Sequence, residues 1–542
     1  MSDVLLDADV LVIGGGPAGC WAAITAAEAG ATVVLADKGY CGSSGAAASA
    51  GHGVWYVPPN AQMREEAMAS REALGGHLAD RNWSSRVIDT AFHQVNRLEQ
   101  WGYAFDNGGG ASSSRKVGKD GHVNYSRGLQ GPAYMRLMRR RVTSARVKIL
   151  DHSPALELLT DATGQVSGAA GVRRQKGGTW SVHAKAVVIA TGGCTFLSGG
   201  LGCNVLTGEG SLMAAEVGAH FSGMEFSSAY AIAPKFSAVT KTAYYQHATF
   251  TYEDGTVVEG AGWHSRSPIA RALDEGPVYA VLDQAPAEIH DRMRKGQPNF
   301  FAPFDRRGID PFTERFEITL RSEATMRGTG GLHLADNACQ TDVAGLFAAG
   351  DVATREYICG GFTGGASHNG AWAISSGTLA GAGAAQHAFA RNGVGPVAGP
   401  ANRRSVFESD APTAESVQWK EIARTVQGEA LPYRKNYFRT AERLRESLGV
   451  LDQTWQAVNT DLRWDAEDVV HAREAAGLTA VARWMYTSAL AREESRGMHK
   501  RLDAGKPDAA QRRRLFVGGL DELWTAPDPV APYTGIDVTV AA

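Results

Sequence analysis

Residues Asp9–Asp37, DVLVIGGGPAGCWAAITAAEAGATVVLAD, constrain the fold more than any other stretch of this chain. Apolar Val10–Ile13 lead into Gly14, Gly16 and Gly19 at GxGxxG spacing; an Ala-rich helical segment runs through Ala29 to Gly30, and a second apolar run ends in Asp37. The pattern predicts a buried strand, a tight turn, a helix and a parallel strand, and therefore an α/β fold of Rossmann-like type. The three glycines serve different ends. The first turns tightly, the second lets backbone approach a pyrophosphate, and the third lets helix pack on strand. The helix N-terminus then faces the phosphates. Asp37 stands 23 residues after Gly14, where a carboxylate can accept hydrogen bonds from a ribose diol. Its charge disfavours a 2′-phosphate, so NAD or FAD is expected rather than NADP.

A chain of 542 residues exceeds one ordinary core, and several domains are expected. The net charge of −3, without a basic stripe interleaved with aromatics, argues against a nucleic-acid partner. The start, MSDVLLDADV, is acidic where a secretory signal is basic, and no apolar run reaches the roughly 18 residues of a membrane span. A cytoplasmic protein without a membrane span is the expectation. The six cysteines include no CxxC pair, so no local iron–sulfur or zinc cassette is expected, no metal ligands are assigned, and an iron–sulfur centre would belong to another protein. Cys20 and Cys194 read as small apolar packing residues; Cys359, in the glycine-rich stretch after Asp351, is the one candidate for redox chemistry.

Two further segments extend the cofactor reading. AKAVVIATGG (Ala184–Gly193) is a buried strand ending in Thr191, Gly192 and Gly193, and AGLFAAGDV (Ala344–Val352) is another, ending at Gly350 and Asp351. Backbone at Gly350 can approach a ligand closely, and Asp351 can accept hydrogen bonds from the ribityl hydroxyls of a flavin. A nicotinamide-only domain needs neither segment, so the expected cofactor is FAD. Its expected contacts are Gly14, Gly16, Ala18 and Gly19 in the first turn, Asp37 and Lys38 after the second strand, Ser44, Gly45 and Gly51 beyond it, then Thr191, Gly192, Gly350 and Asp351.

These segments, together with SSGAAASAGHG (Ser43–Gly53), TGEGSLMAAEVGAHFSGMEF (Thr207–Phe226) and AREESRGMHKR (Ala491–Arg501), resemble the flavoprotein subunits of succinate dehydrogenase and fumarate reductase. L-aspartate oxidase and the flavin subunit of adenylylsulfate reductase belong to the same superfamily. The resemblance implies a discontinuous FAD-binding domain (1–226 and 321–391), an inserted α+β capping domain that bears the substrate site (227–320) and a C-terminal helical domain with its tail (413–542). The Gly- and Pro-rich stretch 392–412 reads as a linker. Residues 417–450 and 465–495 are charged, periodic and nearly free of glycine, which predicts amphipathic surface helices.

The same resemblance exposes departures. The dicarboxylate members hold substrate through a histidine and a threonine after the MEF segment, a histidine before a Gly-Gly pair, and an arginine after the flavin-contacting GD or GE, and a second arginine delivers the proton. Here Ser227, Ser228, Ala229 and Tyr230 follow MEF, Met326 takes the second histidine position with Arg327 beside it, Tyr244 or a neighbour falls at the proton-delivering position, and the other arginine position falls near Gly364. Losing several charge-assisted hydrogen bonds, each contributing roughly 1.5–3 kcal/mol, argues against succinate or fumarate as substrate. Gly45 occupies the position at which some relatives attach FAD through histidine, which implies a non-covalent flavin; His52, seven residues on, is the less favoured attachment point.

The polar groups left for the substrate side are His247, Arg327 and His368, with Arg127, Tyr244 and Tyr357 as further candidates. His247 reads alternatively as a solvent-exposed strand residue and Arg327 as a salt-bridge partner. Arg266 is expected to order the cap, and His499 and Arg501 to pack the helical domain. The expected function is an FAD-dependent oxidoreductase that moves a hydride between a small organic substrate and flavin N5, with a quinone, oxygen or an iron–sulfur protein as electron partner. An oxidase or oxygenase acting on an amine or amino acid is an open alternative, as is an electron-transfer subunit that needs an iron–sulfur partner.

Overall fold

The computed structural model describes residues 3–49, 51–105, 114–117, 121–240, 242–262, 265–363, 365–400, 405–408, 412–413 and 416–529. The position near Gly364 and the tail beyond 529 lie outside the described residues. The chain is organised on a mixed sheet whose strands run in the order Val397–Ala398, Ala155–Asp161, Val166–Val172, Thr179–Ile189, Val4–Ile13, Val33–Ala36 and Lys148–Leu150, with Leu346–Ala348 also paired to Thr179–Ile189. Its apolar strands are parallel where they bear on function: Ile13 is in register with both Ala36 and Ile189, and Ile189 with Ala348. The residues that continue these strands, Gly14, Asp37, Thr191 and Gly350, therefore emerge along one carboxyl edge, where open α/β sheets bind ligands.

The helix Pro17–Glu28 covers this edge and packs on the long helix Gly365–Ala390. The approach is backbone to backbone: a Cβ at Gly377 would lie 2.3 Å from the Ala18 carbonyl oxygen, and one at Gly381 equally close to that of Ala22. A three-stranded sheet of Gly51–Trp55, Val123–Gln130 and Ser114–Val117 stands beside them.

Residues 230–322 build a separate antiparallel sheet in the order Tyr230–Pro234, Phe316–Ser322, Val278–Val281 and Thr249–Tyr252, over an aromatic core that includes Tyr245, Phe250, Phe300, Phe304 and Phe316. C-terminal helices Trp419–Ala430, Ala441–Thr460 and Val469–Ala491 follow, and then a hairpin of Leu515–Gly518 and Trp524–Pro527 that pairs onto Phe221–Ser222.

Two sequence expectations need correction. Val469–Ala491 is not a surface helix: it is buried on nearly every face, because small residues such as Ala475, Ala476, Gly477, Ala480 and Ala482 admit neighbours all round. Its arginines are paired, Arg473 with Glu216 and Arg483 with Asp452. The stretch read as a linker contributes strand Val397–Ala398 to the main sheet, and Ser405 donates to Glu157 at 3.0 Å. Among the described residues no helix is long and apolar enough to cross a membrane.

Candidate active site

A cavity of about 680 Å³ runs along the carboxyl edge of the main sheet and under the cap. Gly14, Gly16, Ala18, Asp37, Lys38, Ser44, Gly45, Gly51, Thr191, Gly192, Gly350 and Asp351 all line it. Gly19 does not, and its place explains why: a Cβ there would sit 1.7 Å from the Gly14 carbonyl oxygen, so this residue seats the helix on the turn. A Cβ on Gly16 would meet nothing within 4 Å, which leaves its backbone open to a ligand at the N-terminus of helix Pro17–Glu28.

Asp37, on the cavity wall, also braces the turn. Its carboxylate accepts from the Gly15 N–H at 2.5 Å and from the Gly39 N–H at 2.7 Å, fastening the glycine turn to the loop after the second strand. Burial raises its pKa above the ordinary carboxylate value, against the pull of these donors. Lys38 lies between Glu209 and Glu474, 2.5 Å from each, and donates to Thr207 at 3.0 Å. Burial opposes its charge, but the two carboxylates outweigh burial and hold the ammonium above its usual pKa.

Asp351 is bridged to the opposite end of the cavity. Arg355 Nη1 lies 2.5 Å from Asp351 Oδ1, while Nη2 donates to the carbonyls of Thr325, Met326 and Gly328. Those carbonyls belong to the turn that carries Arg327. The turn begins at Ala324, whose φ of 31° is one a non-glycine residue keeps only under constraint; the N–H groups of Glu323 and Ala324 both donate to the Ala229 carbonyl. Arg327 reaches the cavity wall and pairs with Glu323 at 2.8 Å. Across from it the cap supplies Thr242, Tyr244 and Gln297, and the long helix supplies Asn369.

The other proposed catalytic groups lie elsewhere. His247 ends a short 3-10 turn of the cap and does not line the cavity, its backbone carbonyl bound by Gln284. His368 is buried against Trp55, ring centroids 4.5 Å apart, with Nδ1 3.2 Å from Ser367 Oγ. Successive helix residues turn by about 100°, so Asn369, Gly370 and Ala373 face the cavity and His368 does not. Tyr357 is buried, stacked on Trp83 and bound to the Leu334 carbonyl, and Arg127 is covered by Phe105.

Arg266, read from sequence as ordering the cap, is close enough to Arg327 to feel its charge. Burial first, and Arg327 second, push its guanidinium down to about 10 while Glu323 pulls the other way. Its Nε is buried without a hydrogen-bond partner among the described residues. Nothing in the local sequence marks it; the pairing arises from the fold. Arg355, which sequence reasoning passed over, does carry a local signal: it is a base four residues after Asp351.

The residues present fit a flavin dinucleotide. Thr191 Oγ1 and Asn369 Oδ1, both on the cavity wall, are buried without hydrogen-bond partners among the described residues, and so await a polar ligand. Residues 9–234 match the family model described as the FAD binding domain, and residues 427–516 match that of the fumarate reductase flavoprotein C-terminus. The chain belongs to the succinate dehydrogenase/fumarate reductase flavoprotein superfamily. It is an FAD-dependent oxidoreductase. This flavoprotein is 27% identical to an L-aspartate oxidase of Streptomyces coelicolor, the match covering 94% of this chain and 91% of that one. It is 24% identical to a fumarate reductase flavoprotein subunit of a Serratia species, over 92% and 90%. Among solved structures, a quinol-fumarate reductase with menaquinol molecules superimposes with a TM-score of 0.82 at 21% identity, covering 98% of this chain and 99% of that one. An adenosine-5-phosphosulfate reductase gives 0.74 at 17%, over 98% and 96%.

Met326, matched in the sequence to a histidine position of the dicarboxylate members, lines the cavity wall. Ser227 and Ser228, at the positions after MEF, are buried away from it, Ser228 donating to the Met498 carbonyl.

Proposed function

We propose that this flavoprotein moves a hydride between a small organic substrate and FAD, with the substrate held against Arg327. The observation that carries the reading is that Arg327 lines the cavity together with the neutral hydrogen-bonding groups of Thr242, Tyr244, Gln297 and Asn369, while Lys38, another lining cation, is held between Glu209 and Glu474. Bound FAD supplies a two-electron acceptor or donor. Arg327 and the cap residues orient the substrate and exclude water. Met326 in place of a histidine argues against succinate and fumarate, because an apolar thioether gives no charge-assisted contact to a second carboxylate.

The flavin is held non-covalently, and the domain limits 1–226 with 321–391, 227–320 and 413–542 describe its FAD-binding, capping and helical parts. The protein works in the cytoplasm and exchanges electrons with oxygen, a quinone or an iron–sulfur protein. Similarity to L-aspartate oxidases supports a second reading, oxidation of an amine or amino acid with oxygen as acceptor. Anaerobic titration of the FAD-loaded protein with panels of small carboxylic acids, amines and amino acids tests both readings. Bleaching of the oxidised flavin by one class identifies the substrate, and peroxide release on admitting air selects the oxidase. Failure of every organic substrate and reductant to bleach the flavin refutes the hydride-transfer reading.

A further inference from the structure

None of His220, His333 and Asp342 lines the flavin cavity, yet the fold brings them together. His220 directly precedes strand Phe221–Ser222, and His333 directly follows strand Gly331–Leu332. These strands are antiparallel with Phe221 opposite Leu332, and the His333 N–H donates to the His220 carbonyl at 3.0 Å, so both imidazoles leave the ladder side by side. The rings are stacked at 4.7 Å with 14° between their planes. Asp342, in the turn before strand Leu346–Ala348, brings Oδ2 to 2.9 Å from His220 Nδ1. One ligand-capable atom from each of the three groups falls within 4.8 Å of the others.

Two features set this cluster apart from an ordinary packed histidine pair. His333 Nδ1 is buried without a hydrogen-bond partner among the described residues, an unfavourable state for a ring nitrogen unless another group completes it. Asp342 Oδ2 stands on the Nδ1 side of His220, so an ion shared by the two is ligated through that ring nitrogen in place of the present hydrogen bond. Arg514, a cation within electrostatic range of His333, is itself held by Asp528 at 2.8 Å.

We propose that His220, His333 and Asp342 form a binding site for a divalent transition-metal ion of the Zn2+ class, separate from the flavin site. Two imidazoles and one carboxylate are the donors of a borderline cation; Mg2+ and Ca2+ prefer a shell of oxygens. Metal–ligand bonds of about 2.0–2.2 Å place tetrahedral donors nearer to one another than 4.8 Å, so binding draws the three side chains inward and unstacks the rings. The ion joins the strand before Asp342 to the one after His220, beneath Phe516 and Trp524 of the C-terminal hairpin, whose rings lie 4.9 and 5.6 Å from His220.

The test uses the full FAD-loaded chain, freed of metal by a chelator and titrated with Zn2+ by calorimetry and with Co2+ by visible absorption. Expected are one saturable equivalent, a low-symmetry Co2+ spectrum that Zn2+ displaces, and quenching of Trp524 fluorescence by Cu2+ that is lost in Trp524→Phe. Both titrations should be lost in the double variant His220→Ala/His333→Ala and weakened at least about tenfold by Asp342→Asn. Asp342 sits on an exposed turn, so that variant folds even if the double variant does not, and flavin content reports folding in each. Absence of a saturable equivalent, or one whose affinity is unchanged in Asp342→Asn or in a folded double variant, overturns the proposal.

Discussion

Arg355 and Asp351 form an ion pair at 2.5 Å, four residues apart, the guanidinium buried and the carboxylate on the cavity wall, and through it Asp351 is fastened to the turn that carries Arg327. One guanidinium thus links Asp351 on the cavity wall to the turn of Arg327. Its five donors in a planar fork suit this double hold, since a lysine in the same place could satisfy the carboxylate but not the three carbonyls as well.

Arg355→Met should therefore affect both ends at once. The guanidinium is buried but the Asp351 side chain is 20% exposed on the cavity wall, so the loss costs less than the ~3–5 kcal/mol of breaking a fully buried pair. The expected outcome is a markedly lower thermal midpoint and weaker FAD retention, measured by flavin fluorescence on heating and by gel filtration.

Arg327→Gln addresses the substrate directly. If the guanidinium makes one charge-assisted hydrogen bond to substrate, its loss costs about 1.5–3 kcal/mol, or roughly 10- to 150-fold in kcat/KM, with FAD content unchanged. Glu323 has a side chain 1% exposed and would be left without its ion-pair partner, so part of the effect would be on folding. The double variant Glu323→Gln/Arg327→Gln separates the two: stability should recover while kcat/KM stays low. Recovery of activity in the double variant would assign Arg327 to structure alone.

Glu356 predicts a pH dependence. Burial, and then repulsion from Glu225, push its carboxyl from the ordinary 4.5 up to about 8. Between those values the folded state binds a proton that the unfolded chain releases, so stability falls as pH rises across this window. The contribution is fully present below about 4.5 and lost as pH passes about 8. Glu356→Gln keeps an acceptor for the Ser222 hydroxyl but cannot ionise. Its thermal midpoint should match the natural protein at low pH and exceed it at pH 8 and above, in midpoints followed by intrinsic fluorescence.

The cofactor half of the site was legible because it rests on backbone. Gly14, Gly16, Thr191, Gly192 and Gly350 follow strands whose apolar composition fixes where they end, and parallel register then aligns those ends without any help from side chains. The substrate half rests on side-chain direction, which a linear sequence does not carry. His368 and Asn369 are adjacent in sequence yet leave one helix about 100° apart, so that only Asn369 lines the cavity. Arg266 and Arg327 are 61 residues apart and meet only because the cap folds back on the sheet. Val469–Ala491 misled for a related reason: a few charged residues suggested a wet face, but each arginine is matched by a carboxylate on a neighbouring element and the helix is interior.

The flavin should leave the polypeptide on acid precipitation. Covalent attachment needs a nucleophilic side chain at the flavin's reactive edge, and Gly45, which lines the cavity at the position where some relatives carry the linking histidine, has none. The histidines on the wall are His52 and His152. His152 donates its N–H to the Gly39 carbonyl, which places it beside Asp37 at the far end from Arg327. His52 lies nearer the cap end, its ring edge-on to Tyr134 at 5.8 Å, and is the group to watch. Yellow fluorescence remaining with the denatured chain, and abolished by His52→Ala, would identify His52 as the attachment point and Gly45 as a misleading guide. Complete transfer of the flavin to the acid supernatant is the expected result, since burial against Tyr134 and strand pairing of Gly51–Trp55 hold the His52 ring in the wall and leave it little freedom to form a bond to the flavin.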